Sequence, residues 1–490
     1  MRLEYAFNLI VELERRQIAN HLSWNGIGLW PLIRHCLWAE LLTDKATKNN
    51  MWDFSPAWSQ EVTRLARHSV RYLLGYKDFK IPTQSDVTQL FLSRPVYLQA
   101  LPSGKLFDRI IDPLLSVVPS YNYTEKFYVS PWPRLKRLEH AAKCLTSAHV
   151  REPLITEQHK DSLNTLALTA GLDATSFLHR YKNALRALSG WFETGTLLFS
   201  SRPSLTTIYL TSWYFPDMMG LTAAARQRGV RVVDLQHGKQ GKFHGMYCGW
   251  YDIPPGESGH ITIPDNFWCW GQPSCNHILA SRPDRRTHRP FIGGFPWLDY
   301  YRTHKNVSNP SLIGEKKNMR VVLVTTQPRY SANGEPIPDF ILDYLRTEPV
   351  NIKFIFRCHP NDALGSEYCH HRLASIPKTL VSIDNGQSNL YDQLLTATHH
   401  LTAFSSCCYE ASAFGIPTLL FGEEARVIYS EDIEGGEFSW SEGNPEELDT
   451  WIDSSAKKRI ISTQPYIESS LILASKILAQ EYAAQREEKH

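Results

Sequence analysis

The sequence predicts an α/β protein in which two parallel-sheet domains face one cleft. Three observations carry this expectation. The chain has 490 residues, room for two or three domains at roughly 150 residues each and for at least one sizeable core. Short apolar, β-branched or aromatic runs alternate with helical stretches twice over, once on either side of a polar break near residue 310, and such alternation means parallel strands joined by crossovers. The runs end in chemistry-bearing side chains, as expected where the carboxyl ends of two parallel sheets meet at a ligand cleft.

Taken in order, residues 1–85 read as helical, with apolar positions three and four apart in MRLEYAFNLIVELERRQI and again in GLWPLIRHCLWAELLTD, where Pro31 suits a first helical turn. From Asp86 the texture changes to strand-like runs: TQLFLSRP, KFYVSPWP, TTIYLTSWYFP, VRVVDLQHG, NFWCWG and FIGGFP. Helical stretches separate most of them, notably 158–190 and PDMMGLTAAARQRG. The polar segment RTHKNVSNPSLIGEKKNMR reads as a linker. After it come MRVVLVTT, IPDFILDYLRT, NIKFIFRCHP, TLVSID, SNLYDQLLTA, HHLTAFSS, CYEASAFG and IPTLLFG, again strand and helix in turn, and a helical tail from Glu446. The expected division is a helical region 1–85, α/β domains 86–310 and 311–455, and a C-terminal helix 456–490.

Composition excludes several classes. Hydrophobic residues make up 42% and charged residues 21%, values of a folding, globular chain. Lys plus Arg (52) against Asp plus Glu (50) leaves +2, which offers no global attraction to nucleic acid or to an anionic membrane. Nine cysteines without a C-x-x-C, in a chain too large to need disulfide staples, fit a reducing, cytoplasmic setting. The N-terminus lacks a basic n-region with an apolar h-region, and no run approaches the roughly 18 apolar residues of a membrane span. Contact with an anionic surface is confined to the N-terminal helix and the stretch Ala456-Lys457-Lys458-Arg459, and one basic cluster binds only weakly.

Three motifs end strands with reactive groups. In RVVDLQHG an apolar strand stops at Gln236, His237 and Gly238. An imidazole there is suited to general acid-base work or, as imidazolium, to a phosphate oxygen; a histidine capping a backbone carbonyl is the alternative. His244, Lys239 and Lys242 follow in a Gly-rich loop, which either closes over an anion or is simply solvated. In IKFIFRCHP, Arg357 and His359 end a strand that Pro360 stops, a pair suited to pyrophosphate or phosphodiester oxygens. In LTAFSSCCYEASAFGIPTLLF, Ser405 and Ser406 sit at a helix start, with Gly415 as its C-terminal cap. Hydroxyls and free amides there suit an anion. Glu410, four residues after Ser406, shares its helical face and can accept from both ribose hydroxyls. Thr325, Thr326 and Gln327 end the first strand of the second unit, where a phosphate or base can also be touched.

Other chemistries have no motif to stand on. There is no G-x-x-x-x-G-K-[ST], no G-x-G-x-x-G after a strand, no H-E-x-x-H, no G-x-S-x-G and no D-x-D. Cys358, His359, Cys369, His370 and His371 are metal-ligand types without a recognised spacing. A transfer that needs no metal and no cofactor is the simpler expectation.

Gln236-His237-Gly238 after a strand, PDNFWCWG, FIGGFPWLDYY, R-x-H-P at 357–360 and S-S-x-x-x-E-x-x-x-x-G-I-P at 405–417 together resemble bacterial capsule and surface-polysaccharide biosynthesis proteins with a GT-B fold. These include capsule Kdo transferases, polysialyltransferase-like enzymes and, more distantly, CDP-glycerol glycerophosphotransferases. The resemblance spans about residues 205–425. It implies two Rossmann-like domains, the nucleotide donor on the C-terminal one and the acceptor on the N-terminal one. It implies that His359 contacts the donor phosphate, that Ser405 and Ser406 bind its phosphate or cytidine side, and that Gln236 and His237 line the cleft from the acceptor side. Two departures stand out. The family's G-N-P is Gly294-Phe295-Pro296 here, and its acidic catalytic residue has no aligned motif. Asp217 is the candidate, with Asp108 and Asp234 as rivals.

The expected function is transfer of a sugar from a nucleotide-activated donor, CMP-linked as for Kdo or a sialic-acid-like sugar, to a growing capsule or lipopolysaccharide glycan. The partners would be that donor and a lipid-linked or oligosaccharide acceptor, with the inner face of the cytoplasmic membrane or other assembly proteins as peripheral contacts and no nucleic acid. The alternatives are a CDP-glycerol-type polyol-phosphate transferase, in which phosphorus is the electrophile, and a non-catalytic glycan-binding or assembly protein of the same fold.

Overall fold

The computed structural model describes residues 2–42, 86–101, 103, 105–118, 124–129, 143–148, 153–254, 259–304, 319–327, 336–359, 362, 364–386, 388–455, 466–468 and 471–487. Most of the expected linker, the stretch 456–459 and the second half of the helical region 1–85 lie outside them.

Two parallel sheets organise the molecule. The first holds β1 (Gln89–Ser93), β2 (Thr124–Val129), β3 (Lys143–Leu145), β4 (Thr207–Thr211), β5 (Arg231–Leu235), β6 (Asn266–Cys269) and β7 (Arg289–Ile292), in the order β7-β6-β5-β4-β1-β2-β3. The second holds β8 (Arg320–Thr325), β9 (Ile352–Arg357), β10 (Val381–Asp384), β11 (His399–Thr402), β12 (Thr418–Phe421) and β13 (Ser439–Ser441), in the order β10-β9-β8-β11-β12-β13. Every pairing within both sheets is parallel. Helices cover both faces, so central strands such as β4 and β11 are buried along their whole length, which is why they read as continuous apolar or β-branched runs rather than alternating ones.

Besides a single turn at Asp112–Leu115, the first domain's helices among the described residues are α1 (Arg2–Arg15), α2 (Trp30–Leu42), α3 (Glu157–Thr169), α4 (Ala174–Ser200), α5 (Pro216–Arg226), α6 (Gln272–Leu279) and α7 (Pro296–His304). The helical stretch expected over 158–190 is two helices. Gly171, at φ +68°, ends α3 with Leu172 N donating to Ala167 O at 2.9 Å, the left-handed turn that glycine adopts at least cost. Asp173 then caps α4, accepting from Ser176 N at 2.7 Å.

Helices α4 and α5 pack at very short range through Gly220. A methyl group there would collide with the Leu188 carbonyl and stand 2.8 Å from Phe192 N. Gly220→Val is expected to destabilise the fold by about 2–3 kcal/mol, since helix backbones cannot retreat as flexible side chains do, and a urea midpoint unchanged from wild type would disprove the close packing.

Helices α1 and α2 share one core with the first sheet and fix the loop that follows β5. The fully buried Arg34 pairs with Glu14 and donates to Gly245 O and Cys248 O, both at 2.7 Å. Glu14 Oε1 accepts from Tyr251 N at 3.2 Å and Asp252 N at 3.0 Å. A buried pair of this kind stabilises only when its remaining hydrogen bonds are made, and here they are made to the 245–252 backbone.

The second domain adds α8 (Asp339–Arg346), α9 (Gly365–Arg372), α10 (Leu390–Leu394), α11 (Cys407–Ala413), α12 (Glu423–Ile428), α13 (Ser430–Glu434) and α14 (Pro445–Ser455). The last helix, α15 (Leu471–Glu487), returns to the first domain, where Leu471 N donates to Asp299 Oδ2 at 3.0 Å. One apolar cluster runs through both domains, from Phe91 and Tyr97 through Trp297 and Tyr391 to Tyr409 and Leu478. No helix among the described residues is long and apolar enough to cross a membrane.

Candidate active site

The carboxyl ends of the two sheets meet across the cleft, and an ideal Cβ built on Gly238 would lie 4.0 Å from Ser406 Oγ. The expected motifs of the two domains therefore face each other.

On the first domain, His237 lies two residues past the end of β5 and is half-buried. Its Nε2 lies 3.3 Å from Ser212 Oγ and 3.4 Å from the Tyr214 hydroxyl. Ser212 Oγ in turn meets the Tyr97 hydroxyl at 2.6 Å. Burial, with His244, Arg109 and Arg94 nearby, pushes the imidazole down to about 3, so at neutral pH it is an uncharged group able to accept a proton and not an imidazolium. Ser212 stands at φ +58°, a left-handed conformation that side chains other than glycine rarely adopt and that concentrates at functional sites. It turns the chain at the end of β4 so that its hydroxyl reaches His237.

Gln236 differs from its expected place in the cleft wall. Its Oε1 accepts from Trp270 N at 2.6 Å, and its Nε2 donates to Gly238 O at 2.8 Å and reaches the Tyr466 hydroxyl at 3.3 Å. The amide is fully engaged inside the protein and shapes the turn that presents His237.

The three acidic candidates also separate. Asp217 lies in the first turn of α5, pairs with Arg94 and accepts from Met218 N at 2.8 Å; it is not at a strand end, because β4 stops at Thr211. Asp234 is fully buried, accepts from Trp213 N at 3.1 Å and the Tyr247 hydroxyl at 2.8 Å, and is pushed by burial up to about 8. Asp108 accepts from Ile110 N at 3.0 Å and Ile111 N at 3.1 Å and also faces Ser93 and Lys126. Each carboxylate is engaged by its own surroundings, and only Asp217 retains appreciable exposure, at 15%.

On the second domain, Arg357 ends β9 as expected, yet its fork is taken by protein: Asp384 Oδ1 at 3.2 Å, Gln393 Oε1 at 3.0 Å and Gly386 O at 3.2 Å. His359, two residues on, is half-buried and pushed down to about 4, chiefly by burial and then by Arg109. It would meet a phosphate as a neutral hydrogen-bond donor. Ser406 begins α11 without a side-chain cap bond, while Ser405 Oγ accepts from Cys407 N at 3.3 Å. Glu410 is 1% exposed and its Oε1 has no hydrogen-bond partner; the buried Gln327 Nε2 has none either. Burial raises the Glu410 carboxyl above its ordinary range against the pull of Arg109. Unpartnered buried polar atoms are rare and ask for a ligand or water.

The loop after Gly238 is tied to the second domain, and Lys242, 3.7 Å from Glu431 Oε1, keeps 40% of its side-chain exposure. Lys239 Nζ crosses to the second domain, donating to the Tyr409 hydroxyl at 2.6 Å and Asp432 Oδ2 at 2.7 Å, and sits 3.9 Å from the Tyr429 ring centroid. His277 Nε2 reaches Glu431 Oε2 at 2.7 Å. Cys358 and Cys369 bring their sulfurs within 3.6 Å, but among the described residues no group of three His, Cys, Asp or Glu side chains is placed to hold a metal ion.

Solved structures share this two-sheet arrangement. A Listeria monocytogenes protein assigned as a UDP-N-acetylglucosamine 2-epimerase is 14% identical, covering 82% of this chain and 97% of its own, with a TM-score of 0.53. The S. aureus MnaA–UDP complex is 11% identical, covering 81% and 97%, with a TM-score of 0.51. The fold is GT-B-like. The wall teichoic acid polymerase TagF is 12% identical over 89% of this chain and 100% of its own, with a TM-score of 0.45. No protein-family model matches the sequence, and no curated protein matches it. The neighbours establish the fold; residue roles rest on the geometry above.

Two features escaped sequence reasoning. Nothing in TTIYLTSWYFP marks Ser212 as left-handed. Arg109 stands next to Asp108 in KLFDRIIDP, with no periodicity to show that it reaches the second domain, where it lies 3.9 Å from Glu410 Oε1.

Proposed function

We propose that this protein is a glycosyltransferase of surface-glycan assembly that uses a nucleotide-activated sugar, CMP-linked as for Kdo or a sialic-acid-like sugar. The observation that carries this reading is the pairing across one cleft of a neutral imidazole, His237 on its Ser212 and Tyr214 hydroxyls, with the unpartnered Glu410 and Gln327 atoms opposite. The acceptor hydroxyl would give its proton to His237 as its oxygen forms the new glycosidic bond. The bond from the sugar carbon to the donor phosphate breaks, and the nucleotide leaves with that electron pair. His359, Ser405 and Ser406 would meet the charge on the departing phosphate, as preorganised donors do where charge develops. Glu410 Oε1 is the acceptor for ribose hydroxyls, and Asp217 the remaining acidic candidate on the acceptor side. The scheme calls on no metal or other cofactor. The acceptor would be a lipid-linked or oligosaccharide glycan, bound on the first domain.

A thermal-shift panel of CMP, CDP, UDP, GDP and ADP tests the donor. A nucleotide at a hundred times its dissociation constant stabilises the fold by about 2.7 kcal/mol, and a shift selective for CMP or CDP, reduced in His359→Ala, is expected. Selectivity for UDP or GDP discards the cytidine donor and keeps the transfer. Product analysis with the matching donor then separates sugar transfer from glycerophosphate transfer, and an epimerised nucleotide-sugar with no transfer would overturn the reading. No shift with any of the five would favour a non-catalytic glycan-binding role.

A further inference from the structure

The arginine that sequence reasoning assigned to the phosphate, Arg357, has its fork filled by Asp384, Gln393 and Gly386. A different guanidinium, paired only at long range with Glu410, reaches across the cleft. Arg109 follows a short antiparallel hairpin, Leu98–Ala100 with Leu106–Asp108, and its backbone is pinned by Arg109 N donating to Tyr97 O at 3.2 Å. Asp108 holds the next turn through Ile110 N and Ile111 N, so the Arg109 side chain leaves a rigid base. Its guanidinium points from the first domain at the second and stops 3.9 Å from Glu410 Oε1, too far for a hydrogen bond. Among the described residues it donates none. Its side chain keeps 24% of its exposure where that of Glu410 keeps 2%.

Two further observations locate it. Its charge acts on both imidazoles, lowering His237 on the first domain and His359 on the second, so the cation is near both. Glu410 Oε1, in α11 after β11, and Gln327 Nε2, just past the end of the neighbouring β8, are a buried unpartnered acceptor and donor of the second domain. An arginine fork with free donors is matched by a phosphate, and an unpartnered carboxylate oxygen by a hydroxyl. A nucleoside mono- or diphosphate carries both groups.

We propose that Arg109 is the guanidinium that grips the donor's phosphate, reaching it from the acceptor domain while the nucleoside rests on the donor domain. This rests on the nucleotide-donor reading and adds to it that the bound donor joins the two domains. Arg357 is then a positioning residue that fixes the ends of β9 and β10.

The test titrates wild type, Arg109→Gln and Arg109→Lys with the nucleotide that gives the largest thermal shift, with its nucleoside, and with inorganic pyrophosphate. Loss of a charge-assisted contact is expected to weaken the nucleotide and pyrophosphate about tenfold to a hundredfold in Arg109→Gln, with the nucleoside unchanged. Arg109→Lys, which keeps the charge and loses the fork, falls between and covers the case in which the glutamine variant folds poorly. Equal affinity of wild type and both variants for nucleotide and pyrophosphate overturns the assignment. Pyrophosphate binding that depends on Arg109, in a protein that binds no nucleotide, keeps the anion site and removes the nucleotide reading; a wild type that binds neither removes both.

Discussion

His237→Ala is expected to lower turnover by about 10²- to 10⁴-fold, the usual worth of a positioned acid-base group, while nucleotide affinity stays near that of wild type. The split follows from position. His237 lies on the acceptor side, against Ser212 and Tyr214, whereas the unpartnered atoms assigned to the donor belong to the second domain. The loss should therefore appear in kcat with little change in the donor's KM. The imidazole is pushed down to about 3 in the free protein, first by burial and then by His244, Arg109 and Arg94. It is uncharged in the free protein at neutral pH, so the wild-type kcat/KM, which reports the free protein, should show no inflection at the ordinary histidine value of 6.5. An incoming phosphate adds negative charge beside Arg109 and raises the imidazole toward the range of a working base. Steady-state rates between pH 6 and 8 check the first point, and isothermal titration of the variant checks the second. A variant that turns over normally, or one whose only defect is donor affinity, would remove His237 from the acid-base role.

The sheets and strand ends were legible because parallel strands buried on both faces are written as continuous apolar runs, and RVVDLQHG or IKFIFRCHP stop abruptly at polar residues. The direction of the terminal side chains was not. Arg357 reads as a cleft cation in isolation, but β10 pairs with β9 and brings Asp384 beside it; strand order decided its role, and strand order is not local. Gln236 is the same case, since its partners Trp270 and Tyr466 come from β6's end and from the far C-terminal segment. TTIYLTSWYFPD reads as one apolar run that would put Asp217 at a strand end, yet Ser212 turns left-handed and Pro216 opens a helix. Arg109 was invisible for a different reason: the hairpin that aims it has three-residue strands, too short for an alternation to register.

Lowering the pH from 7 to 5.5 is expected to remove several kcal/mol of folding stability, and buried neutral histidines, four of them deeply buried, are the main cause. His35, His288, His399 and His400 are at most 5% exposed. Burial pushes His35 and His400 down to about 3, His399 to about 4 and His288 well below its ordinary value. The geometry of His288 agrees: its Nε2 accepts from His260 N at 3.0 Å and its Nδ1 faces Pro264 O at 2.7 Å, an arrangement only the neutral ring can make. His400 sits between the Thr325 and Thr418 hydroxyls at 3.0 and 3.1 Å. Because each folded value lies below the unfolded one of 6.5, the unfolded chain takes up the proton first. Stability is thus fully present above pH 6.5 and is lost as pH falls toward the folded values. At pH 5.5 these four sites together cost about 5 kcal/mol relative to pH 7, and His237, His244, His260 and His359, also lowered by burial, act in the same direction. Asp234, raised to about 8, has the opposite sign: the folded state already holds its proton, which returns about 2 kcal/mol over the same interval. Against a typical stability of about 5–15 kcal/mol, the remainder is large enough to move a urea midpoint well to lower denaturant at pH 5.5. His400→Gln, which keeps a polar side chain between the two threonines, should reduce the proton uptake on unfolding by one and flatten the pH dependence by up to about 1.4 kcal/mol per pH unit. Identical midpoints at pH 7 and 5.5 would mean that these rings take up protons in the fold as readily as in the unfolded chain, and the neutral state assigned to His237 by the same physics would fall with them.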